Sequence, residues 1–151
     1  MGEIEKLIAS GVLTRPQSTA VSGEGVKAFY DSELGSRALD GTNRSVRREF
    51  KFSILAPAER FAGPDAAGEE ILLQGVIDLF WIRGDGSVEL ADYKTDNIRP
   101  GEEFARAESY RSQLEVYRYA LGEMLGAEVK RVYIWFFKTQ KAVRLDFEDP
   151  A

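Results

Sequence analysis

The strongest constraint on this chain lies between residues 71 and 95. Two apolar, β-rich stretches, Ile71 to Ile82 and Val88 to Thr95, are separated only by a short glycine-rich segment, Gly84-Asp85-Gly86. So short a connection makes the two stretches an antiparallel hairpin. With Asp85 at its midpoint, position 78 lies directly across from position 92. Side chains alternate faces along a strand, so Asp78, Asp92 and Lys94 project from the same side of the sheet. Directly opposed residues have Cβ atoms roughly 4.5–5.5 Å apart, and like charges at that distance destabilise a half-buried sheet. A single aspartate is most often simply solvated. Here both lie inside apolar strands, in Gly75-Val76-Ile77-Asp78-Leu79-Phe80 and Leu90-Ala91-Asp92-Tyr93-Lys94, where uncompensated charge is costly. Lys94 offsets one carboxylate. A divalent cation bridging both offsets more, and two aspartates are a normal protein share for magnesium, with water and a substrate phosphate completing the shell.

The composition narrows the chemistry further. The 151 residues contain no cysteine and no histidine. Disulfides, thiolate zinc, cysteine-ligated iron–sulfur clusters and cysteine nucleophiles are thereby excluded, and so are histidine bases and histidine metal ligands. What remains is oxygen-ligand chemistry with a hard cation, Mg2+ or Mn2+. A length of 151 residues and 44% hydrophobic content suit one domain with one core, residues 1–151. The formal charge of −5 argues mildly against an unaided nucleic-acid binder, because phosphate contacts come chiefly from lysine and arginine. The sequence has neither a bilayer-length apolar run nor a signal-type N-terminus, so a cytoplasmic protein without a membrane partner is expected.

Elsewhere, Glu3 to Ser10 and Thr14 to Leu39 read as short helices. Thr14 and Gln17 form a capping-box pattern, Ser32 is a second N-cap, and Asp40-Gly41 is a closing turn. From Val46 the period becomes two, with Val46, Arg48, Phe50, Phe52 and Ile54 on one side of a strand near a sheet edge. Ala56 to Glu70 reads as a loop. Phe104, Tyr110, Leu114, Tyr117, Leu121 and Met124 recur at helical spacing and predict one long helix ending at Gly126. Val129 to Phe137 reads as a strand covered on both faces, parallel to the second hairpin strand because a helix crosses between them. Ala142 to Phe147 is a last short strand. The division is a helical part, residues 1–41, and an α/β core, residues 46–147. Trp81 and Trp135 read as core aromatics.

Gly75-Val76-Ile77-Asp78, Asp92-Tyr93-Lys94-Thr95-Asp96, and Gln113 with Tyr117 in Tyr110-Arg111-Ser112-Gln113-Leu114-Glu115-Val116-Tyr117 resemble the GxxD, DYK(T/S)D and QxxxY motifs of RecB-family nucleases. These belong to the PD-(D/E)XK superfamily. The likeness covers the chain from about Phe29 onward, and is nearest to the C-terminal nuclease domain of AddA-type helicase–nucleases. The resemblance implies a restriction-endonuclease-like α/β core. In it a mixed central sheet, an antiparallel meander plus a strand added through a helical crossover, is flanked by helices. It implies metal ligation by Asp78, Asp92 and the backbone carbonyl of Tyr93, orientation of the attacking water by Lys94, and support of the site and contact with DNA by Gln113 and Tyr117. Gln113 and Tyr117 share a helical face, and core packing is a second reading for Tyr117.

The expected function is Mg-dependent exonuclease action on DNA, on single-stranded ends delivered by helicase domains of the same parent chain. A second helicase–nuclease subunit would complete the machine, in double-strand break repair by recombination. ATP belongs to the motor domains, since no Walker sequence is present. Family members carry an upstream helix with a metal-site histidine, which this chain lacks, and Met1-Gly2-Glu3 reads as the start of an excised C-terminal fragment. The competing expectation is a catalytically silent nuclease fold used for DNA-end binding or subunit docking. Arg44, Arg47, Arg48 and Lys51, and Arg106, Arg111 and Arg118, are candidate phosphate contacts, with an ordinary charged surface favoured for the helix arginines. Glu49 is the nearest further acid, with a solvated ion-pair face as its expected state.

Overall fold

A computed structural model describes residues 23–148; the helix expected at Glu3 to Ser10 and the cap at Thr14 lie outside that range. Two helices, α1 (Gly23–Asp31) and α2 (Glu33–Ala38), precede strand β1 (Ser45–Pro57). Then come the one-turn helix α3 (Glu59–Ala62), β2 (Glu70–Ile82), β3 (Val88–Lys94), α4 (Glu103–Glu108), α5 (Arg111–Leu125), β4 (Val129–Phe136) and β5 (Lys141–Leu145). The five strands form one sheet in the order β1-β2-β3-β4-β5. The β3–β4 pair is parallel and the others are antiparallel. This is the expected meander with one crossover, and β1 is an edge. No helix among the described residues is long and apolar enough to cross a membrane.

Each face of the sheet has its own core. One face packs Leu114, Tyr117, Ala120 and Leu121 of α5 against Phe52, Leu73, Phe80, Leu90 and Ile134. The other packs Phe29 of α1 and Leu34 and Ala38 of α2 against Leu79, Trp81, Ala91, Tyr133 and Trp135. β3 lies between both layers and between two strands, so six of its seven residues are buried, as expected of a strand with no free face. Trp81 and Trp135 are core residues, at 0% and 2% exposure. Ser32 caps α2 by accepting a hydrogen bond from Gly35 N–H at 3.0 Å. Gly126 ends α5 in the left-handed conformation at φ 58°, where glycine carries no Cβ penalty.

The structure departs from the sequence pattern in three places. Val46 packs on the α1/α2 face, whereas Phe50, Phe52 and Ile54 pack on the α5 face. β1 therefore changes face at Glu49, whose φ of 48° breaks the two-residue alternation. The residues joining β1 to β2 are not a plain loop: they include α3 and a 3-10 turn at Pro64–Ala66, with Phe61 edge-on to Tyr119 at 5.4 Å. The single long helix is in fact two, α4 and α5, broken at Ser109-Tyr110. There the Ser109 hydroxyl donates to the Arg106 carbonyl at 2.5 Å, a side-chain bond to the helix backbone that competes with continuation.

Candidate metal centre

The hairpin loop closes on itself. Arg83 N–H donates to Ser87 O at 2.8 Å and Gly86 N–H to Arg83 O at 2.9 Å, while Asp85 accepts from both the amide and the hydroxyl of Ser87. Gly86 has φ 88°, a conformation that side chains disfavour. The ladder then runs Ile82↔Val88, Trp81↔Glu89, Phe80↔Leu90, Leu79↔Ala91, a register whose next step sets Asp78 across from Asp92. At that step a side chain replaces the ladder, as Tyr93 N–H donates to Asp78 Oδ2 at 2.8 Å.

The electrostatic conflict expected from the sequence is present. Burial, followed by the neighbouring Asp92 charge, pushes the Asp78 carboxyl up to about 7, against the opposing pull of the Tyr93 hydrogen bond and Lys94. Asp92 is only 4% exposed. Its Oδ2 lies 2.9 Å from Lys94 Nζ, yet that contact lacks hydrogen-bond alignment and leaves Oδ2 buried without a hydrogen-bond donor. Lys94 Nζ instead donates to Gln113 Oε1 at 3.1 Å, and Gln113 Nε2 donates to the Tyr117 hydroxyl at 3.0 Å. Asp92, Lys94, Gln113 and Tyr117 thus form one continuous chain of contacts from β3 to α5, with Asp78 facing its first member.

Tyr117 is a core residue whose hydroxyl also joins this chain of contacts. Its ring is 9% exposed and belongs to the α5 core, edge-on to Phe52 at 5.7 Å, while its hydroxyl reaches Gln113. Tyr93 contributes its backbone to the site; its ring packs on the opposite face against Phe29 and Phe137. Glu49 is exposed and lies on β1 between Arg48 and Phe50, the partners of Leu79 and Ile77, at the level of Asp78. Arg106 and Arg111 are held by Asp96 and Glu108 respectively, in keeping with an ordinary charged helix surface.

Two contributors escaped the residue-by-residue reading. A Cβ on Gly75 would lie 2.9 Å from Tyr117 Cε1 and 3.0 Å from the Phe52 ring, so the glycine three residues before Asp78 is the clearance that lets Tyr117 reach the site. Tyr110, counted as an apolar helix position, puts its ring centroid 4.1 Å from Lys94 Nζ. The helical spacing of Tyr110 hides this, because its conformation depends on the break that follows Ser109.

The donor set suits a hard divalent cation. Two carboxylates converge with a repulsion that Lys94 offsets only in part, one buried carboxylate oxygen has no aligned donor, and the nearby lone pairs are all oxygen. The described residues contain no group of three or more acidic, histidine or cysteine ligands.

Comparison with known proteins gives the family of the chain. The chain is 36% identical, over 97% of its length, to an ATP-dependent helicase/nuclease subunit of Clostridium perfringens (strain SM101). It is 37% identical over 89% of its length to the protein of that name from Acetivibrio thermocellus, and 30% identical over 97% to that of Oceanobacillus iheyensis. It spans only 11 to 12% of these relatives. Residues 10–150 match the family model described as the PD-(D/E)XK nuclease superfamily. With a mixed sheet that brings the aspartates of two adjacent strands, a lysine and a glutamine–tyrosine pair to one point, and with that match across nearly the whole sequence, the chain belongs to the PD-(D/E)XK nuclease superfamily.

Proposed function

We propose that the Asp78–Asp92 centre hydrolyses DNA phosphodiester bonds with Mg2+ or Mn2+, within a single nuclease domain spanning residues 1–151. The observation that carries this reading is the buried, mutually repelling carboxylate pair, with an Asp92 oxygen left without an aligned donor. Asp78 and Asp92 supply the anionic ligands, and the Tyr93 carbonyl supplies a neutral one. Support for the last comes from Tyr93 N–H pointing at Asp78, since the N–H and C=O of one strand residue face the same edge. A bound divalent cation supplies Lewis acidity and an activated water, which removes the need for a histidine base. Lys94, held between Asp92 and Gln113, orients that water and faces the charge developing on the phosphate. Gln113 and Tyr117 fix Lys94 and border the path of the strand.

The relatives' names place their nuclease function beside an ATP-dependent helicase. By extension we read this domain as the DNA-cutting part of such a machine, an exonuclease fed single-stranded ends by helicase domains of a longer chain. The same reading includes a cytoplasmic setting, a second helicase–nuclease subunit and recombinational repair of double-strand breaks. The limited carboxylate count favours a second reading, a catalytically silent module that binds DNA ends or docks a partner. Degradation of end-labelled single-stranded DNA with Mg2+ or Mn2+ separates them. Cleavage by the native chain and its loss in Asp92→Ala is the expected outcome; equal rates in the two proteins would reject the catalytic reading.

A further inference from the structure

Asp96 ends the segment Asp92-Tyr93-Lys94-Thr95-Asp96, and the centre described above makes no use of it. It stands two residues beyond Lys94 with its own set of contacts. Its Oδ2 accepts from the Tyr110 hydroxyl at 2.6 Å and from Arg106 Nη1 at 2.9 Å. Burial alone would raise its carboxyl, but those two hydrogen bonds outweigh burial and hold it below the usual range. Asp96 is therefore a stable anionic anchor. What it anchors is the ring of Tyr110, whose face lies 4.1 Å from the Lys94 ammonium.

An ammonium has three N–H bonds, and three groups among the described residues flank that of Lys94: Gln113 Oε1, its hydrogen-bond acceptor at 3.1 Å; Asp92 Oδ2, an ion-pair contact at 2.9 Å without hydrogen-bond alignment; and the Tyr110 ring. The third differs in kind. A π face attracts the charge without offering a directional lone pair, so the ammonium stays in place while one N–H remains able to turn toward a water or a phosphate oxygen. A carboxylate in that position would hold the proton direction as well as the charge. The helix break at Ser109 makes the arrangement possible: Tyr110 sits at φ −100°, ψ 3°, just before α5, and its ring reaches back across the strand end.

We propose that Tyr110, locked by Asp96 and Arg106, is a positioning residue that holds the Lys94 ammonium over the cleavage centre while leaving one of its N–H bonds free for the reacting oxygen. This deepens, and rests on, the reading of Lys94 as the residue that orients the attacking water.

The test uses the whole chain with 13C-labelled lysine. Lys94 is assigned by the loss of its signal in Lys94→Arg. In the native protein the Lys94 Cε protons are expected well upfield of the other lysines, owing to the Tyr110 ring current. Tyr110→Leu should return them to the ordinary position. Asp96→Ala, which does not touch the lysine, and Tyr110→Phe, which removes the hydroxyl that Asp96 holds, should each move them part of the way. In the single-stranded DNA assay, Tyr110→Leu is expected to lower kcat about tenfold to a hundredfold with KM little changed, the scale of misplacing a reacting group by about an ångström, and Tyr110→Phe to recover most of it. Native Lys94 protons at the ordinary position, or protons unmoved by both Asp96→Ala and Tyr110→Phe, would overturn the proposal even if Tyr110→Leu does not fold. If the native chain cuts no DNA, the spectra still decide the positioning role, and the failure falls on the nuclease reading.

Discussion

Two carboxylates of β3, three residues apart and buried almost equally, are handled in opposite ways. Glu89, 2% exposed, projects to the α1/α2 face. There Arg37 of α2 donates to it through Nε and Nη2, both at 2.8 Å, and Arg83 Nε adds a contact at 3.4 Å. Asp92, 4% exposed, projects to the α5 face with one lysine for relief and a second carboxylate opposite. At Glu89 the fold neutralises buried charge with a bidentate arginine, the geometry best suited to it. At Asp92 it leaves the conflict standing. Residual repulsion in one place, beside a complete solution in another, is the difference that the proposed metal centre accounts for.

That contrast gives the perturbations their expected order. Glu89→Ala should be the most damaging, because it leaves Arg37 without its bidentate partner and unpins α2 from the sheet, while Arg83 keeps only Asn43 and the more distant Asp40. A loss of about 3–5 kcal/mol is expected in denaturant unfolding, and a loss under about 1 kcal/mol would show the clamp to be a surface-like pair.

Next in size is the pH response of the metal-free chain. Asp78 keeps its proton to about pH 7 in the folded state, whereas an unfolded aspartate releases it near 3.9. Between those values the folded state binds more protons, so the Asp78 contribution to stability declines as pH rises through that window. Unfolding free energy should therefore drop by on the order of a few kcal/mol between about pH 5 and about pH 7.5 relative to Asp78→Asn, which keeps an acceptor for Tyr93 N–H. The variant should be the more stable protein at the upper end. Parallel pH profiles would mean that the carboxylates do not oppose each other.

Smaller still is Gly75→Ala. The added methyl crowds Tyr117 and Phe52, and about 1–3 kcal/mol is the usual cost of overpacking. Cleavage should suffer beyond what the lost stability explains, since Tyr117 must shift from Gln113. An unchanged melting temperature would show that the ring yields freely.

The sequence displayed the centre better than it displayed its supports. Loop length and strand parity suffice to oppose positions 78 and 92, and the structure keeps that register because both strands are apolar enough to leave no other. Helical spacing likewise put Gln113 and Tyr117 on one face. The break between α4 and α5 was hidden because apolar residues recur through it without interruption, while its cause lies in the Ser109 hydroxyl and its use in a bond from Tyr110 to Asp96, 14 residues away. The change of face at Glu49 was hidden because it needs a left-handed residue where glycine is absent. The clamp on Glu89 joins residues 52 positions apart, and no local pattern announces such a pair.

Calorimetric titration of the metal-free chain with Mn2+ at about pH 7.5 tests the account most directly. One saturable site is expected, absent in both Asp78→Asn and Asp92→Asn, with proton release that grows as the pH is lowered toward the Asp78 value. An isotherm without saturation, or one that either substitution leaves intact, would contradict it.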